Sequence, residues 1–421
     1  MNIDILLGLQ WGDEGKGKIV DALSPLYDII ARFQGGPNAG HSLEFKNIKH
    51  VLHLIPSGIF HPGKLNIIGN GVVIDPGVFK KEIEELGPPV SELTKRLIIS
   101  SRANLILPSH KILDAAYEYN KGDSKIGSTL KGIGPAYTDK TSRNGLRVGD
   151  ILRNDFRDLY NEHLKYHLAI LKNYDFKFDL MEYEEGWFEG IEMLKNFRIV
   201  NTEYLVNELA GKGKKVLAEG AQGTMLDVDF GSYPFVTSSN TISAGACTGL
   251  GISPKLIGDI FGIFKAYCTR VGSGPFPTEQ SDETGNILRN IGKEFGSTTG
   301  RPRRCGWLDL PALKYSIMIN GITKLFMTKA DVLSGFKTIK ICTSYKVDGK
   351  ECLEIPFSND AVIEPVYSEM TGWVEDISGI KEFNKLPEAL KKFIEFIEIR
   401  TGVPVTMVSV GPDREDTIFR N

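Results

Sequence analysis

Short apolar runs alternate with stretches of helical spacing along the first hundred residues. Residues 3–9 are apolar and lead into a glycine-rich turn, after which residues 16–23 have the pattern of a helix. Residues 27–33, 66–68 and 97–100 are further short apolar runs, each typical of a buried strand. Strands that alternate with helices predict an α/β fold with a mostly parallel central sheet flanked by helices.

The rest of the chain repeats this alternation around one helical region. Between about 151 and 210, leucine and aromatic residues recur at helical spacing among charges, which predicts a helical insertion; the residues are Phe156, Leu159, Tyr160, Leu164 and Leu168. Residues 215–219 and 324–329 predict strands, residues 259–269 form another apolar segment, and residues 404–411 predict a last strand and turn. No repeat or proline- and serine-rich linker divides the chain, so residues 1–421 are predicted to form a single interwoven domain.

Composition restricts the class of protein. Hydrophobic residues make up 41% and charged residues 24% of the 421 residues, which is typical of a globular protein. The net charge of −3 lacks the basic excess expected for nucleic-acid binding. There is no run of about 18 apolar residues and no basic, cleavable leader, so neither a membrane span nor secretion is expected. The five cysteines are odd in number and form no C-x-x-C pair, which predicts reduced thiols in the cytoplasm.

The strongest chemical signal is the loop from Gly12 to Lys18. It follows a predicted strand and opens a predicted helix, and its Gly-x4-Gly-Lys spacing is that of a phosphate-binding loop, which predicts a fold like that of phosphate-loop NTPases. Ile19 stands where such loops carry the Ser or Thr that holds Mg²⁺. A carboxylate beside phosphate is repulsive unless it binds a cation or takes a proton, so Asp13 is predicted to do one or both.

Three further segments become informative beside this loop. Residues 35–41 place His41 after flexible glycines, as in a loop that closes over a ligand, although a single loop histidine is more often structural. Residues 328–331 read Thr-Lys-Ala-Asp after a predicted strand, and a carboxylate there accepts both adjacent donors of guanine, although so short a match is often coincidental. Residues 296–304 carry three arginines among hydroxyl groups, which suit carboxylate and phosphate ligands; a solvated basic loop is the alternative.

Together these motifs are similar to those of the adenylosuccinate synthetase family. The resemblance extends over nearly the whole chain, at residues 10–18, 36–41, 132–137, 219–223, 237–241, 270–279 and 299–301. It implies a GTP-dependent ligase that carries out the first committed step of AMP synthesis from IMP. GTP would phosphorylate the 6-oxygen of IMP, and the amine of L-aspartate would then displace that phosphate to give adenylosuccinate.

The resemblance also implies roles for individual residues. Asp13 would take the ring N–H proton and bind Mg²⁺ together with the Gly40 carbonyl, and His41 would support the transferring phosphoryl group. The implied catalytic set is Asp13, Lys16, His41 and Gln222. IMP contacts are implied for Asp13, Glu14, Gly15, Lys16, Asn38, Ala39, Gly40, His41, Thr129, Gln222, Thr237 and Arg301, and for Arg143 from the other subunit of a homodimer. Aspartate contacts are implied for Val271, Thr298, Thr299, Gly300, Arg301 and Arg303. GTP contacts are implied for Gly12, Asp13, Glu14, Gly15, Lys16, Gly17, Lys18, Gly40, His41, Ser42, Arg303, Lys329, Asp331, Ser409 and Gly411.

Three positions depart from the family pattern. Pro37 stands where many members have histidine, Leu130 replaces a glycine in the segment 128–131, and Pro302 stiffens the arginine-rich loop. Neither Leu130 nor Pro302 removes a chemical group, so activity is still expected.

Two other classes of protein stay open at the level of sequence. A regulatory GTP-binding switch shares a phosphate loop and a guanine-reading carboxylate, but Ile19 argues against it. A metal-dependent hydrolase is suggested by His163 and His167 at i,i+4 spacing, although this pair lacks the glutamate of a zinc-protease helix. These two histidines, together with His50 and His53, are interpreted as ordinary surface groups.

Overall fold

Helices and strands alternate from one end of the described chain to the other. In the computed structural model of the protein, residues 2–45, 48–122, 125–296, 300–358 and 361–420 are described. Within these ranges the α-helices are α1 (Lys16–Leu23), α2 (Pro76–Glu85), α3 (Val90–Arg96), α4 (Pro108–Asn120), α5 (Ile133–Ser142), α6 (Phe156–Leu171), α7 (Met181–Lys195), α8 (Thr202–Gly211), α9 (Ala244–Leu250), α10 (Glu283–Gly292), α11 (Leu310–Asn320) and α12 (Glu388–Thr401).

The strands are short, as expected for an α/β protein. They are β1 (Ile3–Gly8), β2 (Ile29–Arg32), β3 (His41–Phe45), β4 (Ile48–Leu52), β5 (Leu65–Ile68), β6 (Val73–Ile74), β7 (Leu97–Ser100), β8 (Asn104–Leu105), β9 (Arg198–Val200), β10 (Val216–Glu219), β11 (Ile257–Lys265), β12 (Cys268–Arg270), β13 (Arg304–Gly306), β14 (Leu308–Asp309), β15 (Lys324–Thr328), β16 (Thr338–Val347), β17 (Lys350–Cys352), β18 (Ile363–Thr371), β19 (Val405–Ser409) and β20 (Thr417–Phe419).

In the described part of the chain, ten of these strands form one central sheet, in the order β20-β19-β15-β11-β1-β10-β2-β5-β7-β9. Its neighbouring strands are parallel, except that β20 is antiparallel to β19. The predicted α/β class with a mostly parallel central sheet is therefore confirmed. Strands from both ends of the chain share this sheet, which favours the single interwoven domain; that organisation stays a prediction.

The central strands are apolar because both of their faces are covered. β1 and β10 are buried along almost their whole length, as parallel strands between two layers of helices require. On one face of the sheet, Ile19 of α1 packs in a cluster with Leu6 and Ile30. On the other face, Ile5 and Leu7 belong to a larger cluster. Alternate residues of β1 thus fix the strand from both sides, and the phosphate loop starts from a rigid point.

The predicted motif loops leave the same edge of the central sheet. Residues 9–15 follow β1, residues 33–40 follow β2, residues 220–223 follow β10, residues 329–331 follow β15 and residues 410–411 follow β19. The carboxyl ends of parallel strands lie at one edge, where open α/β sheets bind their ligands. Motifs that are hundreds of residues apart in sequence are therefore neighbours in space.

Two predicted elements are corrected by the structure. The region 151–210 is not purely helical, because β9 lies between α7 and α8 and pairs with β7 at the edge of the central sheet. Residues 404–411 do not contain the last strand, because β20 follows and pairs with β19. Both strands are only three residues long and lie at sheet edges, where the apolar pattern of a buried strand is not required.

The cysteines and helices agree with a globular protein. All five cysteines are free thiols, as predicted. Cys305 beside the arginine-rich loop is buried, and burial raises the pKa of its thiol to about 11, so it stays protonated at neutral pH. Among the helices that the structure describes, none has both the length and the apolar character to cross a membrane.

Candidate active site

The phosphate loop is stabilised from inside by its own glutamate. Glu14 is fully buried, and its Oε1 accepts hydrogen bonds from the backbone N–H groups of Gln10 (3.1 Å) and Gly12 (2.9 Å). Its Oε2 lies 2.5 Å from Lys16 Nζ. Gly15 caps α1 with a positive φ of 87°, a conformation that glycine adopts without strain. The Glu14 carboxylate therefore shapes the loop, and the ligand contacts expected of this residue stay a prediction.

Lys18 connects the phosphate loop to a segment near residue 410. Its Nζ donates to Ser409 Oγ (2.7 Å) and to the carbonyl oxygens of Gly411 (2.6 Å) and Asp416 (3.2 Å). Burial lowers the pKa of Lys18 to about 8, although the nearby carboxylates of Asp416 and Asp331 oppose this shift. Three residues of the predicted GTP set, Lys18, Ser409 and Gly411, are therefore in direct contact.

Asp13 joins the phosphate loop to the arginine-rich loop. Its Oδ2 accepts a hydrogen bond from Arg303 Nε at 2.7 Å, an ion pair between residues 290 positions apart. The side chain of Asp13 is still 30% exposed, whereas that of Arg303 is only 12% exposed. The residue predicted to act as the base, Asp13, is thus hydrogen-bonded to Arg303, a residue predicted to bind the substrate aspartate.

A buried acid holds Arg303 from its other side. Arg303 Nη1 lies 2.5 Å from Glu294 Oε2, while Glu294 Oε1 accepts from Lys265 Nζ (2.8 Å) and from the Tyr267 hydroxyl. Burial would raise the pKa of Glu294, but the cations Lys265 and Arg303 bring it down to about 2. The four side chains in this series alternate in charge, in the order Lys265, Glu294, Arg303 and Asp13. Each buried charge among them therefore has a partner of opposite sign, as burial of charge requires.

Three predicted IMP contacts from separate segments form one hydrogen-bonded row. Gln222 Nε2 donates to Asn38 Oδ1 (3.2 Å), and Asn38 Nδ2 donates to Thr237 Oγ1 (3.4 Å). Ala39 and Gly40 continue the loop from Asn38. Gln222 Oε1 is buried with no hydrogen-bond partner among the described residues. A buried acceptor of this kind is suited to a donor that a ligand supplies.

His41 is buried at the start of β3. It is 5% exposed, and its Nδ1 lies 2.5 Å from Glu219 Oε1. Its Nε2 is buried and has no hydrogen-bond partner within the described ranges. Burial lowers the pKa of the imidazole, even though the bond to Glu219 opposes that effect, so the ring is neutral at pH 7. The next residue, Ser42, pairs with Val51 in the β3–β4 hairpin.

The segment predicted to read guanine lies beside the phosphate loop. Thr328 Oγ1 donates to the Glu14 carbonyl at 2.8 Å, which ties the end of β15 to that loop. Asp331 Oδ1 is buried without a hydrogen-bond partner in the described chain, and burial raises the pKa of its carboxyl group. Lys329 Nζ donates to the Gly292 carbonyl at 2.8 Å. The free Asp331 oxygen is chemically suited to an N–H donor of a base.

Thr129 and Arg143 lie on either side of α5, and both are exposed. The segment 127–132, which contains Thr129, is bound to α4 by Asp114 and Glu118, whose carboxylates accept its N–H and hydroxyl groups at 2.5–3.1 Å. Arg143 caps the opposite end of α5. Their exposure leaves both side chains accessible to a ligand or to a second subunit.

The predicted aspartate loop is described only in part. Thr298 and Thr299 lie outside the described residues, so their roles stay predictions. Gly300 has a φ of 64°, which favours glycine at this position. Arg301 and Val271 are exposed beside the segment that carries Arg303.

Four predicted site residues have a strained backbone. Asp13, Arg143, Gln222 and Lys329 all have a positive φ, between 57° and 70°. This conformation costs a residue with a side chain about 1–2 kcal/mol, and proteins retain such strain mainly at functional sites, where it directs a side chain. Leu130 also has a positive φ, of 55°, a conformation that glycine adopts without strain.

The interpretation of His167 as a surface group is wrong. It is buried, as is His110, and the Nε2 atoms of both lie 2.9 Å from Asp139 Oδ2. The Leu107 N–H donates to His110 Nδ1 (3.0 Å), so His110 carries its ring proton on Nε2 and donates it to Asp139. That proton occupies the direction in which the ring would bind a metal, so the cluster is a hydrogen-bonded link between α4, α5 and α6. The other histidines of the same interpretation are half-buried; they are His50, His53 and His163.

Sequence reasoning missed two carboxylates that support the site. Glu219 stands in the segment Glu-Gly-Ala-Gln-Gly, directly before the turn that carries Gln222, so its position at the end of a strand was a usable signal. Glu294 precedes the arginine-rich loop without any motif of its own. Its role emerges only from its contacts with Lys265 and Arg303.

A phosphate loop and polar side chains at the carboxyl edge of a parallel sheet define the class of nucleotide-binding α/β proteins. Comparison with known proteins narrows this class. The family model described as adenylosuccinate synthetase matches residues 5–418. The chain is 60% identical over 420 residues to the adenylosuccinate synthetases of Bacteroides fragilis and Bacteroides thetaiotaomicron, with 100% of this chain and 99% of each relative covered.

Comparison with solved structures indicates the same family. The fully ligated adenylosuccinate synthetase from Plasmodium falciparum superposes with a TM-score of 0.95 at 40% identity, and the match covers 100% of both chains. The succinoaminodeoxyadenylate synthetase of cyanophage S-2L shares the fold, with a TM-score of 0.64 at 20% identity. The chain belongs to the adenylosuccinate synthetase family, as its motifs predicted, and it is a ligase of AMP biosynthesis.

Proposed function

We propose that the enzyme joins IMP and L-aspartate into adenylosuccinate with GTP as the phosphoryl donor and 6-phosphoryl-IMP as the intermediate. The ion pair between Asp13 and Arg303 carries this proposal. It places a carboxylate of the phosphate loop against the loop predicted to bind aspartate, so the groups for phosphoryl transfer and for amine attack share one site.

In the first step, Asp13 removes the ring N–H proton of IMP. The 6-oxygen, a poor nucleophile as an amide oxygen, becomes an oxyanion that attacks the γ-phosphate of GTP, and the bond from that phosphate to its bridging oxygen breaks to release GDP. Asn38, Gln222 and Thr237 hold the base, and this role is supported by Gln222 Oε1, which has no hydrogen-bond partner in the part of the chain that the structure describes. His41 turns Nε2 toward the transferring group, with Lys16 contributing positive charge.

In the second step, the amine of aspartate attacks C6 and the phosphate leaves. Arg301 and Arg303 bind carboxylate, which arginine does well through paired N–H groups. Because Arg303 is already bonded to Asp13, a substrate carboxylate that takes over Arg303 frees Asp13 for its proton. The arrival of aspartate is thereby coupled to activation of IMP.

Mg²⁺ is assigned to Asp13 and the Gly40 carbonyl. Both are oxygen donors of the kind that Mg²⁺ takes in proteins, and the 30% exposure of the Asp13 side chain leaves it accessible. When bound, the ion neutralises charge on the phosphates. The cytoplasm as the site of action belongs to the same proposal, since its three substrates are small soluble metabolites.

An omission assay tests the proposed reaction. Adenylosuccinate should form from IMP, aspartate, GTP and Mg²⁺, and it should fail to form when any one of them is left out. IMP labelled with ¹⁸O at its 6-position should deliver that label to the released phosphate, because the 6-oxygen leaves as part of it. Label retained in the nucleotide, or product formed without GTP, would contradict the proposal.

Asp331→Asn is expected to change the choice of base. The carboxylate of Asp331, whose Oδ1 is buried without a partner in the described chain, is proposed to accept from the ring N–H and the exocyclic amine of guanine. An amide there turns its –NH₂ group toward one of these donors, which is expected to lower kcat/KM for GTP by about 5- to 150-fold, the equivalent of one unpaired buried group. Xanthine carries a carbonyl in place of the amine, so kcat/KM for XTP should rise relative to kcat/KM for GTP.

The measurement is kcat/KM for GTP, XTP and ATP. The control is Asp348→Asn, which changes an exposed residue in a hairpin turn. An unchanged preference for GTP over XTP means that Asp331 does not read the base.

Arg143 is expected to act across the interface of a homodimer. Arg143→Leu and Asp13→Asn should each be nearly inactive alone, whereas a mixed dimer has one site with native Asp13 from one chain and native Arg143 from the other. Random exchange of equal amounts should restore roughly a quarter of native sites, by two-fold symmetry. The exposure of Arg143 at the end of α5 supports this role. Activity that does not recover after verified subunit exchange would reject the shared site.

A further inference from the structure

Glu219 is a fully buried carboxylate that links its own strand to two other segments of the chain. It is the last residue of β10, and its Oε1 accepts hydrogen bonds from His41 Nδ1 (2.5 Å) and from Ser57 Oγ (2.6 Å). Its Oε2 accepts from the backbone N–H of Ser57 at 2.8 Å. Both Glu219 and Ser57 are 0% exposed. Both oxygens of the carboxylate are therefore occupied by protein donors.

The hydrogen bond from the backbone N–H of Ser57 determines which partner each oxygen of Glu219 accepts from. A peptide N–H only donates, so the oxygen that faces Ser57 N has to remain an acceptor. The other oxygen accepts a hydrogen bond from His41 Nδ1–H, which fixes the neutral imidazole as the Nδ1–H tautomer. Nε2 is then the end of the ring that lacks a hydrogen-bond partner among the described residues.

The ring of His41 is also held in place by its surroundings. A Cβ at Gly17 would lie 2.8 Å from His41 Cβ, so α1 packs directly against this residue. The charged groups that act on the ring are Glu219 of β10, Arg32 of β2 and Lys16 of α1. Arg32 is fully buried and balances the charge of Glu219.

We propose that Glu219 is a positioning residue, which holds His41 in the tautomer and orientation that turn Nε2 toward the transferring phosphoryl group. This inference rests on the proposed function, in which His41 supports that group. Glu219 acts through the imidazole, because it is 0% exposed and both of its oxygens are bonded to protein donors. A carboxylate that orients a histidine through its second nitrogen is a general device for fixing a reactive ring.

Glu219→Gln tests the proposal kinetically. The amide oxygen is expected to stay opposite Ser57 N–H, which leaves the –NH₂ group facing His41 Nδ1, so the ring loses its acceptor. We expect kcat to fall about 10- to 100-fold, with the KM values for IMP, GTP and aspartate nearly unchanged. In a His41→Asn background, Glu219→Gln should lower kcat little further, because the imidazole through which Glu219 acts is absent. Ser57→Ala, which removes one hydroxyl and keeps the bond to His41, is the matched control and should retain most of the activity.

A spectroscopic measurement tests the orientation independently of turnover. In ¹⁵N-histidine-labelled enzyme without substrates at neutral pH, His41, identified by the signal lost in His41→Asn, should show a protonated Nδ1 and an unprotonated Nε2. Glu219→Gln should shift these resonances, and thermal unfolding should show that the variant is folded. If Glu219→Gln does not fold, the tautomer in the unmodified enzyme decides.

Failure of this inference is separable from failure of the proposed function. An Nε2–H tautomer, an unchanged kcat in folded Glu219→Gln, or independent losses in the double variant would overturn it while adenylosuccinate formation stands. Conversely, an unmodified enzyme that forms no adenylosuccinate overturns the proposed function, and the tautomer measurement still decides what Glu219 does to the ring.

Discussion

Asp13→Asn is expected to lower kcat for adenylosuccinate formation by about 10²–10⁴-fold, the usual contribution of a positioned base. Asparagine tolerates the left-handed φ of 59° at this position, and its amide oxygen still accepts from Arg303 Nε. The substitution therefore removes proton uptake and charge while the loop keeps its shape. Steady-state kinetics with IMP, GTP and aspartate varied in turn measure the effect.

The control for this substitution is Asp28→Asn, a half-exposed carboxylate that is paired with Lys214 at the opposite end of the strand β2 from the motif loops. It should behave as the unmodified enzyme. Thermal unfolding of Asp13→Asn should be near that of the unmodified enzyme. A folded Asp13→Asn within a few-fold of normal kcat would remove Asp13 from the role of base.

His41→Asn is expected to lower kcat by about 10²–10³-fold, the range found when one group that stabilises transition-state charge is removed. Its Nε2 is buried and unpartnered among the described residues, so the proposed role is exerted on the reacting phosphoryl group rather than on bound IMP. We therefore expect the KM for IMP to change much less than kcat.

His163→Asn provides a matched control for that variant. His163 is half-buried on α6 and its Nδ1 contacts the Leu159 carbonyl of its own helix. Its substitution should leave kcat unchanged. A His41→Asn enzyme with a raised KM for IMP and a normal kcat would make His41 a residue of substrate binding alone.

Local sequence signals predicted the parts of the site that lie next to the sheet. Residues 16–23 were predicted as a helix after a glycine-rich turn, and α1 spans Lys16–Leu23. Residues 97–100 were predicted as a strand, and β7 spans Leu97–Ser100. These predictions succeed because a fully buried strand, a glycine turn and an amphipathic helix each have a composition that can be read over a few residues.

Long-range contacts are what the sequence did not reveal. Nothing near Glu294 indicates that it joins Lys265 to Arg303, because the three residues come from different segments and meet only in the folded chain. His167 lies on the same face of α6 as the buried residues Tyr160 and Leu171. Its partner Asp139 belongs to a different helix, α5, and that contact forms only when the helices pack. Buried charge and hydrogen-bond networks depend on tertiary packing, which local patterns do not encode.

The central position of β1 has a consequence for the growing chain on the ribosome. β1 lies between β10 and β11, so a segment synthesised early has partners that end at Glu219 and Lys265. At roughly 5–20 residues per second, translation leaves Ile3–Gly8 without either neighbour for tens of seconds. A short apolar segment with two unpaired edges is prone to associate with other nascent chains. The yield of active enzyme in a cell is therefore expected to depend on chaperones that shield this segment until the two later strands emerge.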